Sequence, residues 1–204
     1  MSDQEADSYR TVETAATAAF EVRGSEFIGH VRPVERVAAA ERFIDDVRGE
    51  YEDATHNVPA YRVRADPFRE YSSDDGEPSG SAGKPALNVL EGQELENVVV
   101  VVTRYYGGTN LGVGGLVSAY GEAVARSVER AGVVEREPHE QFAATVGYDD
   151  SGTVRAVLDS AGVSYEARYE ETVTFSVEVP VTDARALRDR LRSATSGRVS
   201  IERR

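Results

Sequence analysis

The chain has 204 residues, 40% of them hydrophobic, a net charge of −13 and no cysteine. That length suits one large domain or two small ones with a core of their own, and the missing cysteines exclude a disulfide framework, a zinc–thiolate site and a cysteine nucleophile. No stretch approaches the ~20 apolar residues of a membrane span, and the acidic, polar start Met1-Ser2-Asp3-Gln4-Glu5 is the opposite of a signal peptide, so a cytoplasmic protein with no membrane partner is expected.

Thr17 to Val22 and Phe27 to Val34 cluster apolar residues around Arg23-Gly24-Ser25, which predicts a hairpin. Val37, Ala40, Ile44, Val47 and Tyr51 follow at steps of three and four, one face of an amphipathic helix. His56 to Arg64 reads as a strand, with Pro59 favouring an edge or a bulge. Asp66 to Gly83 is a polar, acidic loop crossed by a short strand near Phe68 to Ser73. Ala82 to Leu90 predicts a short helix with Pro85 in its first turn. Val98 to Val102 is five consecutive valines, a central strand buried on both faces. Arg104 to Gly115 is a glycine-rich loop, and Leu116 to Ala131 a helix stopped by Gly132.

Val133 to Pro138 is charged and lacks periodicity, so a linker is placed there between domains 1–132 and 139–204. The remainder alternates strand Phe142–Val146, helix Ser151–Ala161 capped by Asp150 or Ser151, strands Val163–Tyr169 and Val173–Val179, helix Asp183–Ala194 and strand Arg198–Ile201. The order βαββαβ is the ferredoxin-like plan.

Chemistry concentrates between Tyr71 and Gly121, where ten of the 18 glycines fall. The run Arg104-Tyr105-Tyr106-Gly107-Gly108-Thr109-Asn110-Leu111-Gly112-Val113-Gly114-Gly115 lies between a buried strand and a helix. Such a loop can aim backbone N–H groups at an anion, helped by the partial positive charge of the helix start, and Arg104 can hold a phosphate bidentately. A tight turn that needs glycine for packing alone fits the residues equally well. It is not a dinucleotide fingerprint, because the frame from Gly112 ends on Val117.

The second run is Asp74-Asp75-Gly76-Glu77-Pro78-Ser79-Gly80-Ser81-Ala82-Gly83-Lys84. A phosphate-binding P-loop needs Gly six residues before its Lys and Ser or Thr after it; Pro78 and Pro85 stand there. Asp74, Asp75 and Glu77 are weak candidates for Mg²⁺, since an acidic turn explains them as well. Lys84 is the chain's only lysine among 23 basic residues, and a compact ammonium there suits a phosphate or an ion pair with Asp74 or Asp75. His56 reads as a hydrogen-bonded histidine at a strand start rather than a proton carrier; His30 and His139 read as surface residues. Tyr105, Tyr106 and Tyr120 offer base stacking, Tyr120 rather packing.

Arg185, Arg188 and Arg192 share one face of the last helix. From Asp183 to Arg204 seven arginines outnumber Asp183, Asp189 and Glu202 by four charges, a candidate RNA or protein contact or a solvated face. Strong acidity with almost no lysine also suggests adaptation to molar salt. Screening then shrinks to ~3 Å, so net charge does not exclude a nucleic-acid partner.

Gly24-Ser25 with Phe27-Ile28, His56-Asn57 with Ala60-Tyr61-Arg62, the run Ser73 to Pro85, and Val100-Val101-Val102-Thr103-Arg104-Tyr105-Tyr106-Gly107-Gly108 with Leu111 to Tyr120 together resemble the YigZ/IMPACT family. The resemblance is strong over residues 9–132. It implies an α+β chain: an N-terminal domain similar in fold to a ribosomal small-subunit protein domain and to domain IV of elongation factor G, followed by the small ferredoxin-like domain. It also implies a non-catalytic RNA- or ribosome-associated role in translation or its regulation, since eukaryotic relatives regulate initiation by competing for the activator of an initiation-factor kinase. A protein partner in translation control is the rival expectation, and an enzyme or sensor for a small phosphorylated ligand with Mg²⁺ the third. No cofactor is expected, and no metal-ligand set supports the proline-dipeptidase label some members carry. The chain departs from the family at Glu26, Asn110 and Ser118, where a basic residue is usual.

Overall fold

The computed structural model describes residues 8–203, and the chain divides into two compact units, Tyr9–Arg136 and a unit formed mainly by residues from Glu137 onward. The first contains β1 (Tyr9–Val12), β2 (Ala16–Val22), β3 (Ser25–Pro33), α1 (Val37–Glu50), β4 (His56–Val63), β5 (Arg69–Ser72), α2 (Gly83–Gly92), β6 (Val98–Tyr105), α3 (Gly112–Ala131) and β7 (Val133–Arg136). Five strands form an antiparallel sheet in the order β2-β3-β6-β4-β5. The predicted hairpin is there, and its turn residues Arg23 and Gly24 both take positive φ, as a two-residue turn matched to strand twist requires.

The valine run sits at the centre of this sheet. Side chains alternate across a strand, so Val98, Val100 and Val102 pack with Leu87, Leu90, Leu116 and Val124 of α2 and α3. Val99 and Val101 pack with Ala40, Ile44 and Val47 of α1 on the other face. Both faces are thereby covered, which is why the run tolerates no polar residue. Continuing the alternation, Arg104 falls on the α2–α3 face and Thr103 on the α1 face.

Thr103 belongs to a buried polar chain. Its hydroxyl donates to Asn57 Oδ1 at 2.7 Å and lies 3.3 Å from His30 Nε2, while Asn57 Nδ2 donates to the Tyr51 carbonyl at 3.0 Å. Having spent its proton on Asn57, the Thr103 oxygen accepts from His30 Nε2–H, which leaves Nδ1 to accept from Thr17 Oγ1, 3.4 Å away. His30, expected at the surface, is therefore buried; a neutral ring satisfied on both nitrogens makes that burial affordable. Exposed His139 matches its expectation.

Other differences have clear causes. Pro59 lies inside the sheet, because β4 has β6 on one side and β5 on the other. Its carbonyl accepts from Ser73 N on the β5 side, beyond the last paired residue Ala60. The missing proline N–H points the same way, so the ladder with β6 loses nothing. The stretch expected to be a linker holds β7, which pairs antiparallel with β1 from Val133↔Val12 to Arg136↔Tyr9. Its partner is more than a hundred residues away, beyond the reach of local periodicity. Gly112, Gly114 and Gly115, expected in a loop, form the first turn of α3.

The second unit contains β8 (His139–Val146), α4 (Tyr148–Ala161), β9 (Ser164–Tyr169), β10 (Val173–Pro180), α5 (Val181–Ala194) and β11 (Ser200–Arg203). Its sheet order β11-β8-β10-β9, antiparallel throughout, is the ferredoxin-like topology expected from the βαββαβ order. Phe142, Phe175, Val177, Leu158 and Leu191 form its own core. α4 begins at Tyr148, ahead of Asp150 and Ser151, with Gly147 as an N-cap that makes no side-chain bond. Gly162 ends it with φ of 68°, as a left-handed C-cap does.

Candidate functional site

The two glycine-rich segments meet at one end of the first unit, where β3 and β4 begin and β6 ends. Arg104 is the hub. Only 5% exposed, it donates from Nη1 to Glu77 Oε1 at 2.5 Å and from Nη2 to Ser25 Oγ at 3.4 Å. Its guanidinium lies 5.4 Å from the ring centroids of both Phe27 and Tyr106, and its Nε has no hydrogen-bond partner among the described residues. Tyr120, from α3, donates its hydroxyl to the same Glu77 oxygen at 2.7 Å. Burial, then the bond to Glu77, pushes that phenol far above its ordinary range, so Tyr120 is a neutral donor. His56 Nδ1 is 2.7 Å from the Asp75 carbonyl; only a protonated Nδ1 can make that bond, which places Nε2, 3.8 Å from Glu77 Oε1, at the edge of the cluster.

This geometry corrects the expected roles of the charged residues. Arg104 is the internal partner of Glu77. Lys84 is exposed and bonds Glu91 Oε1 at 2.9 Å along α2, a carboxylate seven residues on, instead of Asp74 or Asp75. The three acidic candidates for Mg²⁺ point to three different places. Asp74 accepts from the backbone N–H of Gly80, Ala82 and Gly83 at 2.8, 3.0 and 2.8 Å. Asp75 accepts from Asn57 N at 2.7 Å and Arg48 Nη2 at 3.2 Å, and Glu77 turns inward. Burial alone would raise the Asp74 pKa; the bonds from Gly80, Gly83 and Ala82 outweigh it and hold it below the ordinary value. Among the described residues no group of three or more acidic or histidine side chains is placed to hold a metal. The Ser79–Gly80 tip of this loop is exposed, and Gly76 packs against the His56 ring.

The second glycine segment is divided between packing and exposure. A Cβ on Gly107 would lie 1.9 Å from the Gly24 carbonyl oxygen, so glycine is required for the hairpin turn to touch the loop, and Gly107 N donates to Ser25 Oγ at 3.1 Å. Here the tight-turn reading holds. Gly108, Gly112 and Gly114 instead have nothing near them; their backbone lies open beside Tyr106 and Val113, 45% and 58% exposed. α3 starts here without a side-chain cap or an acidic first turn. Tyr106 Oη donates to Asn110 Oδ1 at 3.1 Å, which braces the loop from within. Tyr105 Oη donates to Asp53 Oδ1 at 2.8 Å, and that bond pushes its pKa up to about 12. The outcome is an open surface whose cation is folded underneath it.

Ser25 and Tyr120 complete the cluster and were not singled out as a unit by sequence reasoning. One signal was available: stepping by two from Val98 lands on Arg104, so its inward direction followed from the buried alternation. The carboxylate that meets it, Glu77, arrives from a loop 27 residues upstream, and no periodicity announces it.

The arginine face of α5 is dispersed. Arg188 is buried on the Glu140 carboxylate, with its guanidinium 6.0 Å from the Phe142 ring. Arg192 pairs with Asp189 at 3.1 Å, and Arg185 is exposed. A step of three from Arg185 reaches the buried stripe of Ala184, Leu187 and Leu191, so the three arginines do not form one surface.

The profile of the Impact N-terminal domain matches residues 23–128, which contain both glycine segments and the whole Glu77–Arg104 cluster. The chain belongs to the IMPACT family. A domain of unknown function, DUF1949, matches residues 145–198, within the ferredoxin-like unit. The IMPACT family member YvyE of Bacillus subtilis (strain 168) is 35% identical over 196 residues, covering 96% of this chain and 90% of that protein. YigZ of Escherichia coli (strain K12) is 32% identical over 188 residues, covering 91% and 92%. A crystal structure described only as that of a hypothetical protein superposes with a TM-score of 0.73 at 30% identity over 96% of both chains. The two-domain α+β architecture therefore recurs in that solved structure.

Proposed function

We propose that this IMPACT protein is a cytoplasmic, non-catalytic binding protein of translation or its regulation, and that it docks on a ribosomal or other RNA-containing particle through the Tyr106–Gly115 surface. The observation that carries the reading is that surface itself: open glycine backbone, an uncapped start of α3, and exposed Tyr106 and Val113, all held from beneath by a buried ion pair. The family resemblance supports the translation setting. Protein IMPACT of Rattus norvegicus is 37% identical over 98 residues, which span 44% of this chain and 29% of that protein. With Arg104 and Lys84 both engaged, phosphate contact falls to backbone N–H groups, and stacking on Tyr106 supplies the rest.

A second reading, a protein-interaction regulator without nucleic acid, is favoured by Val113 and Val117 standing exposed beside Tyr106. Three side chains of this kind fit an apolar partner surface as well as a base. The enzyme or sensor with Mg²⁺ has no such support, because its three carboxylates diverge.

Sucrose-gradient sedimentation of tagged protein in high-salt lysate, with and without RNase, separates these readings when run beside Tyr106→Ala with Val113→Asp. Co-migration with ribosomal particles that RNase and the variant both abolish supports docking on RNA. Co-migration that survives RNase but not the variant supports the protein partner. A protein that stays at the top of every gradient overturns the translation reading.

A further inference from the structure

At the opposite end of the sheet from the glycine segments, a cleft of about 390 Å³ opens where β3 ends, α1 begins and β7 passes. Its volume falls in the range of small-molecule sites, about 300–1,000 Å³. Three arginines from three elements line it: Arg32 at the end of β3, Arg36 at the N-cap of α1, and Arg136 at the end of β7. Glu35 is the single carboxylate on its wall, in a chain whose acidic residues outnumber its basic ones by 36 to 23. None of the three arginines is in an ion pair with a described residue. Arg32 is stacked 5.0 Å from the Phe43 ring centroid, and among the described residues Arg136 bonds only the Glu13 carbonyl, at 3.4 Å.

The remaining wall supplies donors. α1 has no capping side chain and no acidic residue in its first turn. The N–H groups of Ala39 and Ala40 turn back to the Arg36 carbonyl, while those of Val37 and Ala38 have no acceptor inside the helix. Asn97, 8% exposed, accepts from Arg64 N at 2.8 Å through Oδ1. Its Nδ2 has no hydrogen-bond partner among the described residues, and Asn97 lines the cleft. The residue is mostly buried and its oxygen is held in place, so its amide nitrogen, which reaches solvent, is a donor of fixed direction. Tyr9, opposite Arg136 in the β1–β7 register, completes the lining, and the Arg64 guanidinium lies 5.4 Å from its ring centroid.

From this convergence of guanidinium, helix-start and amide donors we infer that the cleft binds a small phosphate-bearing molecule, its phosphate held by Arg32, Arg36 and Arg136 and by Asn97 Nδ2. Arginine suits this role through its fork of N–H donors, and a site of this size accepts a mono- or diphosphate with a compact body against Tyr9. The site is separate from the Tyr106–Gly115 surface, so the two stand or fall independently.

The test is titration of the full chain with inorganic pyrophosphate and with ADP, read by calorimetry and by amide NMR. Saturable binding is expected, with shifts confined to Val37, Ala38 and the Asn97 side-chain amide. Arg36→Ala and Arg136→Ala each weaken it about tenfold, the scale of one charged hydrogen bond. Both arginines are exposed, so the variants keep the unliganded melting temperature, and Tyr106→Ala leaves the affinity unchanged. The inference is overturned if neither probe saturates by millimolar concentration, if the arginine variants bind as well as the parent, or if the shifts fall at Gly112–Gly115. A single-stranded oligoribonucleotide that shifts the same amides and binds more tightly than either probe also overturns it, in favour of a polymer.

Discussion

Arg104 shows how a single residue can be conspicuous in sequence and hidden in structure. Its charge is compensated by Glu77 in a setting where both side chains are nearly inaccessible, so removing one partner strands the other. Glu77→Gln is expected to lower stability by about 3–5 kcal/mol, while Glu77→Gln combined with Arg104→Met costs clearly less than the two single changes together. Urea unfolding of the four proteins measures this, and strict additivity would refute the pairing. His30 makes a second prediction. Burial holds its pKa below the ordinary 6.5, against a smaller opposing effect of Glu50. As pH falls below about 6.5 the unfolded chain takes up a proton that the folded chain refuses. The stability from His30 is therefore complete above that pH and is lost as pH falls through the folded value. Urea midpoints measured across this window should decline, with a shallower decline for His30→Gln; identical slopes would place the proton elsewhere.

The α3 helix carries the proposed docking surface at its first turn and core residues along its length. Gly112, Gly114 and Gly115 open it, yet only part of that glycine content is forced. A Cβ on Gly114 meets nothing, and its φ is not positive. Gly114→Ala should stabilise the protein by about 0.5–1 kcal/mol by restoring helix propensity, seen as a higher melting temperature. If melting is unchanged or lower, the first turn of α3 is not helical in solution. Strand β7 teaches a related point about elements. Val133 to Arg136 has no periodicity of its own and becomes a strand because β1 offers it a register, which makes it part of the first unit rather than a tether.

The whole molecule carries a net charge of −13, and self-repulsion in dilute buffer works against compactness. Raising KCl from about 0.1 M to about 1 M shortens the screening length from about 10 Å to about 3 Å, so the melting temperature should rise over that range. A steady fall would show that exposed ion pairs such as Arg198–Asp150 outweigh the repulsion. The order of elements other than β1 and β7, the central position of the valine strand, the ferredoxin-like unit and the two glycine segments were legible in the residues, because each is written in local periodicity or composition. Long-range placement was not. Arg104 meets a carboxylate from another loop, Arg188 turns into the core, Pro59 escapes penalty at the end of a ladder, and Arg136 joins Arg32 and Arg36 from a distant segment. Such meetings depend on which chain segments the sheet brings together, and that information resides in tertiary pairing, where contacts between residues tens of positions apart decide whether a charge is solvated, paired or free to bind.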